Sequence, residues 1–364
     1  MKKILYILFA VVITITIAGC KRTTGKYEIA LVTDVGTISD QSFNQAAWEG
    51  VKKFGDEYGI SYQYYQPTCT GAGCEVQDSD RIRAIENAID GGAKVIVLPG
   101  YLFATFIDEI ADDHPDVLFL GIDVSTSEDK DNVRGIFFKD YEAGFLAGYA
   151  VVHEGYNNLG YMGGQPVPAV QEYGVGFIAG SFYAAKEKGI GTFTFPNNRY
   201  LYLNSFVPSP THKSTAASWY TAGTEVIFVA AGGAGLSINE AALEAQKYMI
   251  GVDVDQSYLS DYVLTSAIKM MGNAVYESLV DYKNNDFASG TVLLGVKEGG
   301  SGLSSFESSK FENFTKEQYD AIVSKISDGD IVVPKNYDQL VTFLTDLGYS
   351  TGDYPTKATV EPAQ

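Results

Sequence analysis

The sequence predicts an α/β protein of two lobes, each a parallel sheet flanked by helices, with a ligand cleft between the lobes. Short apolar strands alternate with amphipathic helices along the chain, and many of these strands end in Gly or Asp. This alternation is typical of parallel sheets built from strand–helix units. A strand pair from Val95 to Asp123 spans 28 residues, and a similar pair from Val226 to Asp253 spans 27. The near-equal spacing predicts two lobes of like architecture.

The first lobe begins with a strand at Tyr27–Gly36 and a helix at Gln41–Tyr58. Apolar residues recur in that helix at intervals of three and four, which gives it one buried face. A second helix follows at 81–90 and is stopped by two glycines. Continuous apolar runs at 94–100 and 117–123 predict two further strands that are buried on both faces.

The second lobe repeats this order of elements. A strand is predicted at 159–164, followed by a helix whose apolar face includes Phe182, and by strands at 223–233 and 249–253. A C-terminal helix is predicted to begin at Thr315, because Thr-Lys-Glu-Gln has the spacing of a capping box.

These elements also predict how the chain is divided. The first lobe is expected to combine 27–140 with about 263–288, and the second 141–262 with about 289–312. C-terminal helices would occupy 313–348, and a polar tail 349–364.

Composition excludes several classes of function. The chain has 364 residues, 26 Lys and Arg against 45 Asp and Glu, and a formal net charge of −19. This acidity argues against nucleic-acid binding, which needs basic surfaces to neutralise phosphates. Its three His stand apart, at 114, 153 and 212, without a nucleophile or metal motif around them. We therefore expect no enzyme, no metal site and no cofactor.

The N-terminus resembles a lipoprotein export signal. A basic start precedes an apolar run at 4–18, which is too short for a stable membrane span and ends in Ile-Ala-Gly before Cys20. We interpret 1–19 as a signal peptide, Cys20 as the acylated residue and 20–26 as a tether. The alternative is ordinary secretion with Cys20 as an incidental thiol. The first interpretation places the protein on the extracytoplasmic face of the cell membrane.

Cys69 and Cys74 are the two other cysteines. Outside the cytoplasm, a pair this close in sequence is expected to form a disulfide, whereas a reducing habitat would leave two free thiols. The sequence leaves both states open.

Charged residues and glycines follow several predicted strands. In open parallel sheets, ligands bind beyond the carboxyl ends of the strands, so these residues would line the cleft. They are Asp34, Pro99-Gly100, Asp123, Gly163-Gly164, Gly232-Gly233 and Asp253. Asp123 and Asp253 either terminate their strands or accept hydrogen bonds from a vicinal diol. Lys269 is either solvated or reaches a ligand oxygen.

Two aromatic residues are candidates for stacking on a flat ligand. Phe43 lies outside the apolar stripe of the first helix, and Phe177 holds a similar place in the second lobe. Each could instead belong to a core, but as a pair facing across a cleft they would clamp a planar ring. Asp40, just before the first helix, is either its cap or a ligand contact.

Long motifs in the chain resemble those of the basic membrane protein family, the lipoprotein substrate-binding subunits of ABC transporters that include the purine nucleoside receptor A group. The matching motifs lie at 34–50, 141–148, 163–164, 176–177, 231–235, 250–256, 264–269 and 296–303. The resemblance implies the type I periplasmic-binding fold. It also implies that Phe43 and Phe177 sandwich a purine while Asn44 and Asp40 bind the edge of the base. The residues implied to hold the ribose are Asp123, Gly235, Asp253 and Lys269.

The function expected from this resemblance is the capture of a nucleoside and its delivery to an ABC permease. The expected ligand is, more narrowly, a purine nucleoside, and the expected form of the protein is a lipid-anchored monomer. Two alternatives stay open: a binding protein for a sugar or sugar-like signal, and a surface protein that engages host or matrix partners.

Overall fold

The computed structural model describes residues 26–69, 75–126 and 130–362. Within these residues the chain forms twelve strands. They are β1 (Ile29–Val32), β2 (Tyr62–Tyr65), β3 (Val95–Pro99), β4 (Leu118–Ile122), β5 (Val133–Phe138), β6 (Leu159–Gly163), β7 (Tyr200–Tyr202), β8 (Val226–Ala230), β9 (Tyr248–Asp253), β10 (Val263–Lys269), β11 (Gly290–Leu294) and β12 (Ser301–Leu303).

The same described residues form eleven α-helices. They are α1 (Phe43–Tyr58), α2 (Asp78–Asp90), α3 (Ile107–Asp113), α4 (Asp140–Glu154), α5 (Pro168–Glu187), α6 (Pro210–Thr221), α7 (Gly235–Ala245), α8 (Met271–Asn284), α9 (Lys316–Ser327), α10 (Tyr337–Asp346) and α11 (Lys357–Val360).

The strands form two six-stranded sheets, one in each lobe. The first has the order β11-β5-β4-β3-β1-β2 and the second the order β12-β10-β9-β8-β6-β7. All neighbouring strands are parallel except β12, which runs antiparallel to β10. Ile29 pairs with Val95 in the first sheet, and Leu159 pairs with Val226 at the equivalent position of the second. The predicted α/β fold class is confirmed.

The predicted lobe boundaries after residue 262 are wrong for two strands. β10 lies within the segment 263–288 that was expected in the first lobe, yet it pairs with β9 in the second sheet. β11 lies within 289–312, expected in the second lobe, but it pairs with β5 in the first sheet. The chain returns to the first lobe only through α8, which packs against α1. A helix between two strands lets the second strand pair in parallel with a sheet. The sequence does not reveal which of the two sheets that strand will join.

The first helix begins at Phe43 because Asp40 satisfies its free backbone amides. The two carboxylate oxygens of Asp40 accept hydrogen bonds from the backbone N–H groups of Ser42, Asn44 and Gln45 at 3.0, 3.0 and 3.1 Å. At the other end, Gly59 adopts a left-handed conformation with φ of 66°. The capping interpretation of Asp40 is therefore confirmed, and so is the capping box at Thr315.

Helices α4 and α5 pack backbone against backbone in the core of the second lobe. Four glycines make this approach possible: Gly144, Gly148, Gly176 and Gly180. A Cβ atom added to any of them would lie 2.0–2.3 Å from a backbone carbonyl oxygen of the facing helix. These contacts hold α5 in one fixed rotation against the sheet.

The C-terminal segment packs on the second lobe. Tyr354 and Val360 are buried in the same core as α5, and the Tyr202 hydroxyl donates a hydrogen bond to the Val360 carbonyl oxygen at 2.6 Å. The prediction of a polar tail from residue 349 onward is therefore wrong over the described part of that segment. Its buried apolar residues stand among polar ones, and hydrogen bonds such as Phe195 N–H to the Asp353 carbonyl oxygen at 2.7 Å help to dock it.

Two sequence predictions concern cysteines. Cys69 is disulfide-bonded. Cys20 and Cys74 lie outside the described residues, so both the lipidation of Cys20 and the pairing of Cys69 with Cys74 stay predictions. Across the described part of the chain, no helix combines the length and the apolar character needed to cross a bilayer.

Replacement of Gly176 by Ala should destabilise the fold. The added methyl group would lie 2.1 Å from the Tyr141 carbonyl oxygen, so α4 and α5 would have to separate. We expect the free energy of unfolding to fall by about 1–3 kcal/mol, measured by urea denaturation. The matched control is Gly191→Ala, because a Cβ atom at Gly191 meets no atom within 4 Å. Equal losses in the two variants would contradict this account of the helix pair.

Candidate functional site

A cavity of about 520 Å³ lies between the lobes at the carboxyl ends of both sets of strands. From the first lobe, Asp34 and Asp123 line it just beyond β1 and β4. From the second, Gly232 follows β8 and Asp253 ends β9. Gly100 and Gly233 line the cavity too, whereas Pro99, Gly163 and Gly164 do not. Most of the strand ends singled out in the sequence are thus brought to one cleft, as expected for open parallel sheets.

The buried ammonium group of Lys269 lies at the centre of the cleft. Its Nζ is 2.6 Å from Oδ2 of Asp123 and 3.1 Å from Oδ2 of Asp140. Lys269 is the last residue of β10, Asp140 is the first residue of α4 and Asp123 follows β4. The ammonium group therefore joins the second sheet to the first lobe and to one of the crossovers between them.

The charge of Lys269 depends on these carboxylates. Burial alone would lower its pKa, but Asp123, Asp140 and Asp253 outweigh that effect and raise it. Burial raises the pKa of Asp140, although the neighbouring ammonium group acts in the opposite direction. The cluster thus keeps a cation in a buried, acidic site.

Three aromatic rings surround the same ammonium group. Lys269 Nζ is 5.2 Å from the ring centroid of Phe43, and 5.6 Å from the centroids of Phe138 and Tyr173. All three rings line the cavity. The site thus offers apolar faces beside a charged network, and both are needed to bind a molecule with a flat ring and several hydroxyls.

Asp253 connects the two lobes as well as lining the cavity. Its Oδ2 atom accepts a hydrogen bond from the Ser42 hydroxyl at 2.5 Å. Burial raises its pKa to about 6, against the opposing effect of Lys269. Asp253 and Asp123 both have positive φ, at 66° and 56°. Backbone strain of this kind, at two non-glycine residues in one cleft, is characteristic of functional sites.

Asp34 is held close to the backbone of the first lobe. Its Oδ1 atom accepts the Val35 N–H at 2.6 Å, and burial raises the pKa of the carboxyl group. A Cβ atom at Gly100 would lie 2.2 Å from Asp34 Oδ2, and Gly100 has φ of 135°. Glycine is therefore required at position 100 for this carboxylate to take its place.

The amide of Asn44 has a fixed orientation. Its Nδ2 atom donates to Asp40 Oδ2 at 2.9 Å, and a carboxylate can only accept that bond. The other amide atom, Asn44 Oδ1, is buried without a hydrogen-bond partner among the described residues. One acceptor of a residue that lines the cavity is therefore left unpaired.

Two further polar atoms of cavity residues are buried without a partner in the described structure: Asp140 Oδ1 and the Tyr173 hydroxyl. Buried polar atoms are nearly always hydrogen-bonded, because an unmade bond costs about 1–3 kcal/mol. Three such atoms belong to residues that line this one cavity, which favours a polar ligand there. Among the described residues, no cluster of three His, Cys, Asp or Glu side chains is arranged to hold a metal ion.

The structure does not place Phe177 or Gly235 at the cavity. Phe177 is fully buried in the core of the second lobe, with ring centroids 5.9 Å from Phe195 and 5.1 Å from Phe228. The glycine contacts between α4 and α5 direct Phe177 toward the sheet. Tyr173, one helical turn earlier on α5, lines the cleft instead. Gly235 is the first residue of α7 and is buried away from the lining.

Phe206 lines the cavity from the second lobe, although no periodic pattern in the sequence marks it. It lies in an irregular Ser- and Pro-rich loop after β7. A Cβ atom at Gly164 would lie 2.2 Å from the Phe206 ring, so the glycine at 164 makes room for it. That glycine was the one indirect sign in the sequence of a close-packed group there.

Glu172 and Lys335 also line the cavity and were not singled out by the sequence analysis. Burial raises the pKa of Glu172 to about 7, while Lys269 acts to lower it. Lys335 comes from the connection between α9 and α10, outside both sheets. This connection thus contributes a positive charge to the site.

The stability of the ligand-free protein should depend on pH through Glu172. Its folded pKa of about 7 exceeds the ordinary value of ~4.3, so between these limits the folded chain binds more protons and loses stability as pH rises. Between about pH 4.5 and about 7.5, the free energy of unfolding should fall by about 1–3 kcal/mol less in Glu172→Gln than in the wild type, measured by urea denaturation.

The control for this measurement is Glu317→Gln on α9. A backbone hydrogen bond lowers the pKa of Glu317, so its effect on the slope should have the opposite sign. Parallel stability curves for the wild type and Glu172→Gln would show that Glu172 is not the group responsible.

The fold matches that of known solute-binding proteins. A solute-binding protein of an ABC transporter from Aeropyrum pernix superimposes with a TM-score of 0.72, covering 88% of this chain and 97% of that one at 24% identity. The protein thus has the type I periplasmic-binding fold, as the resemblance implied.

Sequence comparison identifies the family. Residues 27–337 match the family described as ABC transporter substrate-binding protein PnrA-like. The chain is 30% identical over 355 residues to basic membrane protein A1 of Borrelia garinii subsp. bavariensis, covering 95% of this chain and 99% of the relative. It is also 30% identical over 354 residues to the ABC transporter nucleoside-binding protein BmpA of Lactococcus lactis subsp. cremoris, covering 87% and 94%. The chain belongs to the basic membrane protein family of ABC transporter substrate-binding proteins.

Proposed function

We propose that this protein captures a purine nucleoside in the interlobe cavity and delivers it to the permease of an ABC importer. The observation that carries the proposal is the set of three unpartnered polar atoms, from Asn44, Asp140 and Tyr173, in residues that line the same cavity as the Phe43 ring. The nucleoside-binding relative from Lactococcus lactis supports the same ligand class.

The base would stack between aromatic rings of the two lobes. Phe43 lines the cavity from the first lobe and Phe206 from the second. Stacking of a base on one aromatic side chain contributes ~1–3 kcal/mol. Phe206 thus takes the place that the family resemblance assigned to Phe177.

Asn44 would select the edge of the base. Because Asp40 holds its amide nitrogen, Asn44 offers only an acceptor, and the ligand must supply an N–H donor. Guanine and hypoxanthine carry such a donor at N1, and adenine carries one at its amino group. Asp40 acts by orienting Asn44 rather than by contacting the ligand.

The ribose hydroxyls would be held by the charged cluster. Asp123 and Asp253 have acceptor oxygens at the cavity, and Asp140 Oδ1 and the Tyr173 hydroxyl lack partners among the described residues. Lys269 keeps these carboxylates in place and is within the same lining. Gly235 has no part in this proposal, because it does not line the cavity.

The charge of the lining favours nucleosides over nucleotides. Six carboxyl groups line the cavity against two ammonium groups: Asp34, Asp40, Asp123, Asp140, Glu172 and Asp253 against Lys269 and Lys335. A phosphate group would add negative charge to a site already rich in it, which costs free energy in a partly desolvated cleft.

Delivery requires that the protein stay near its permease. We propose that acylation of Cys20 anchors a monomer on the extracytoplasmic face of the membrane, as the N-terminal motif predicts. Hinge closure around the nucleoside would then give the closed form that the permease recognises.

Calorimetric titration of the ligand-stripped chain tests the proposed ligand. Guanosine and inosine should bind, whereas 1-methylguanosine should bind at least about tenfold more weakly because its N1 donor is blocked. Ribose, cytidine and uridine provide the comparison for the base. Binding of ribose as tight as that of guanosine would favour the sugar alternative, and no binding of any nucleoside would contradict the proposal.

Substitution of the aromatic residues tests the position of the base. Phe43→Ala and Phe206→Ala should each weaken guanosine binding by roughly fivefold or more. Both rings also pack at the edge of a core, so each variant should lose some stability, but less than Phe177→Ala. Phe177→Ala should instead lower the free energy of unfolding by about 3–5 kcal/mol, because that ring fills the core. Unchanged affinity in Phe206→Ala would remove Phe206 from the binding site.

A further inference from the structure

Three residues outside the cavity join the two lobes directly: Gln41 of the first lobe, and Gln256 and Tyr258 of the second. None of them lines the cavity. We propose that these residues form a latch that holds the lobes closed and slows ligand release without touching the ligand. The use of guanosine as a probe rests on the proposed function, but the latch itself does not.

Gln256 is fixed within its own lobe so that it points to the other. Its Oε1 atom accepts the Val252 N–H at 3.2 Å, and its backbone N–H donates to Ser266 Oγ at 3.0 Å. Since the amide oxygen is occupied, the amide nitrogen faces the first lobe and donates to the Gln41 carbonyl oxygen at 2.9 Å. Gln256 is only 3% exposed, so water competes poorly for this bond.

Tyr258 makes the second bond of the latch. Its hydroxyl donates to the side-chain oxygen of Gln41, while the residue as a whole is 59% exposed at the surface. The phenol thus reaches from the outside of the second lobe to the loop before α1. An exposed ring held by a single interlobe bond can be released without disturbing either core.

Gln41 is held in an unusual conformation to receive both bonds. Its φ is 60°, in the left-handed region that non-glycine residues seldom adopt. Its own N–H donates to Gln45 Oε1 at 3.2 Å, which fixes the loop to α1. The strained turn directs the carbonyl and the side chain of one residue toward the second lobe.

Other bonds also cross the cleft, but they involve cavity residues. Ser42 binds Asp253, and Lys269 binds Asp123, so changing these pairs would alter the ligand site as well. The latch bonds break when the lobes separate, and they have no ligand contact. They therefore favour the closed form over the open form by their own free energy, whether or not a ligand is bound.

Stopped-flow kinetics with guanosine test the latch. Tyr258→Phe and Gln41→Ala should each raise the dissociation rate by roughly two- to tenfold, the worth of one hydrogen bond, and should not lower the association rate, because more ligand-free molecules are open. The double variant should add little beyond Gln41→Ala, because both changes remove the same bond. The matched control is Tyr276→Phe, which removes a 2.8 Å bond to Glu57 within the first lobe.

Small-angle X-ray scattering of the ligand-free chain gives a readout that needs no ligand. The Tyr258→Phe and Gln41→Ala variants should have a larger radius of gyration than the Tyr276→Phe control, because more molecules are open. Dissociation rates and radii equal to those of the control would overturn the latch. If guanosine does not bind at all, the proposed ligand fails, and equal radii alone would then overturn the latch.

Discussion

The cleft depends on one buried cation. Lys269 ends a strand of the second sheet, and its ammonium group lies between Asp123 of the first lobe and Asp140 at the start of α4. A buried charge without partners would cost several kcal/mol, so these three residues must meet whenever the lobes are closed. Their meeting sets the distance between the sheets. The other carboxyl oxygen of Asp140, Oδ1, is buried without a hydrogen-bond partner among the described residues.

The close packing of α4 and α5 gives the second lobe the rigidity that this arrangement needs. Because glycines bring the two backbones together, α5 has little freedom to rotate. Tyr173 is therefore held beside Lys269, and Phe177 is held inside the core. The second lobe is thus held together by a buried side-chain core and by close backbone packing of α4 on α5, whereas the bonds across the cleft come from a few side chains.

Part of the site could be predicted from the sequence, because ligands lie beyond the carboxyl ends of parallel strands and an Asp closes or follows several of the apolar strands. That rule located Asp34, Asp123 and Asp253. It could not locate Phe206 or Lys335, which come from irregular segments whose path depends on tertiary packing. It also could not assign β10 and β11 to a sheet, since the choice of edge is decided by long-range pairing. The sequence pattern of α5 predicted Phe177 at the cleft, whereas the structure has it in the core. Glycine contacts with α4 set the rotation of that helix, and the sequence pattern does not reveal them.

The last strands of the chain alternate between the two sheets, and this order has a consequence for synthesis. The first sheet is incomplete until β11, at Gly290–Leu294, has been made, and the second until β12, at Ser301–Leu303. The ribosome delivers the chain from its N-terminus, so most of the polypeptide emerges before either lobe has all its strands. A nascent chain that completes its folding so late stays extended for longer. Passage through a narrow translocation channel, as the predicted signal peptide requires, depends on that extended state.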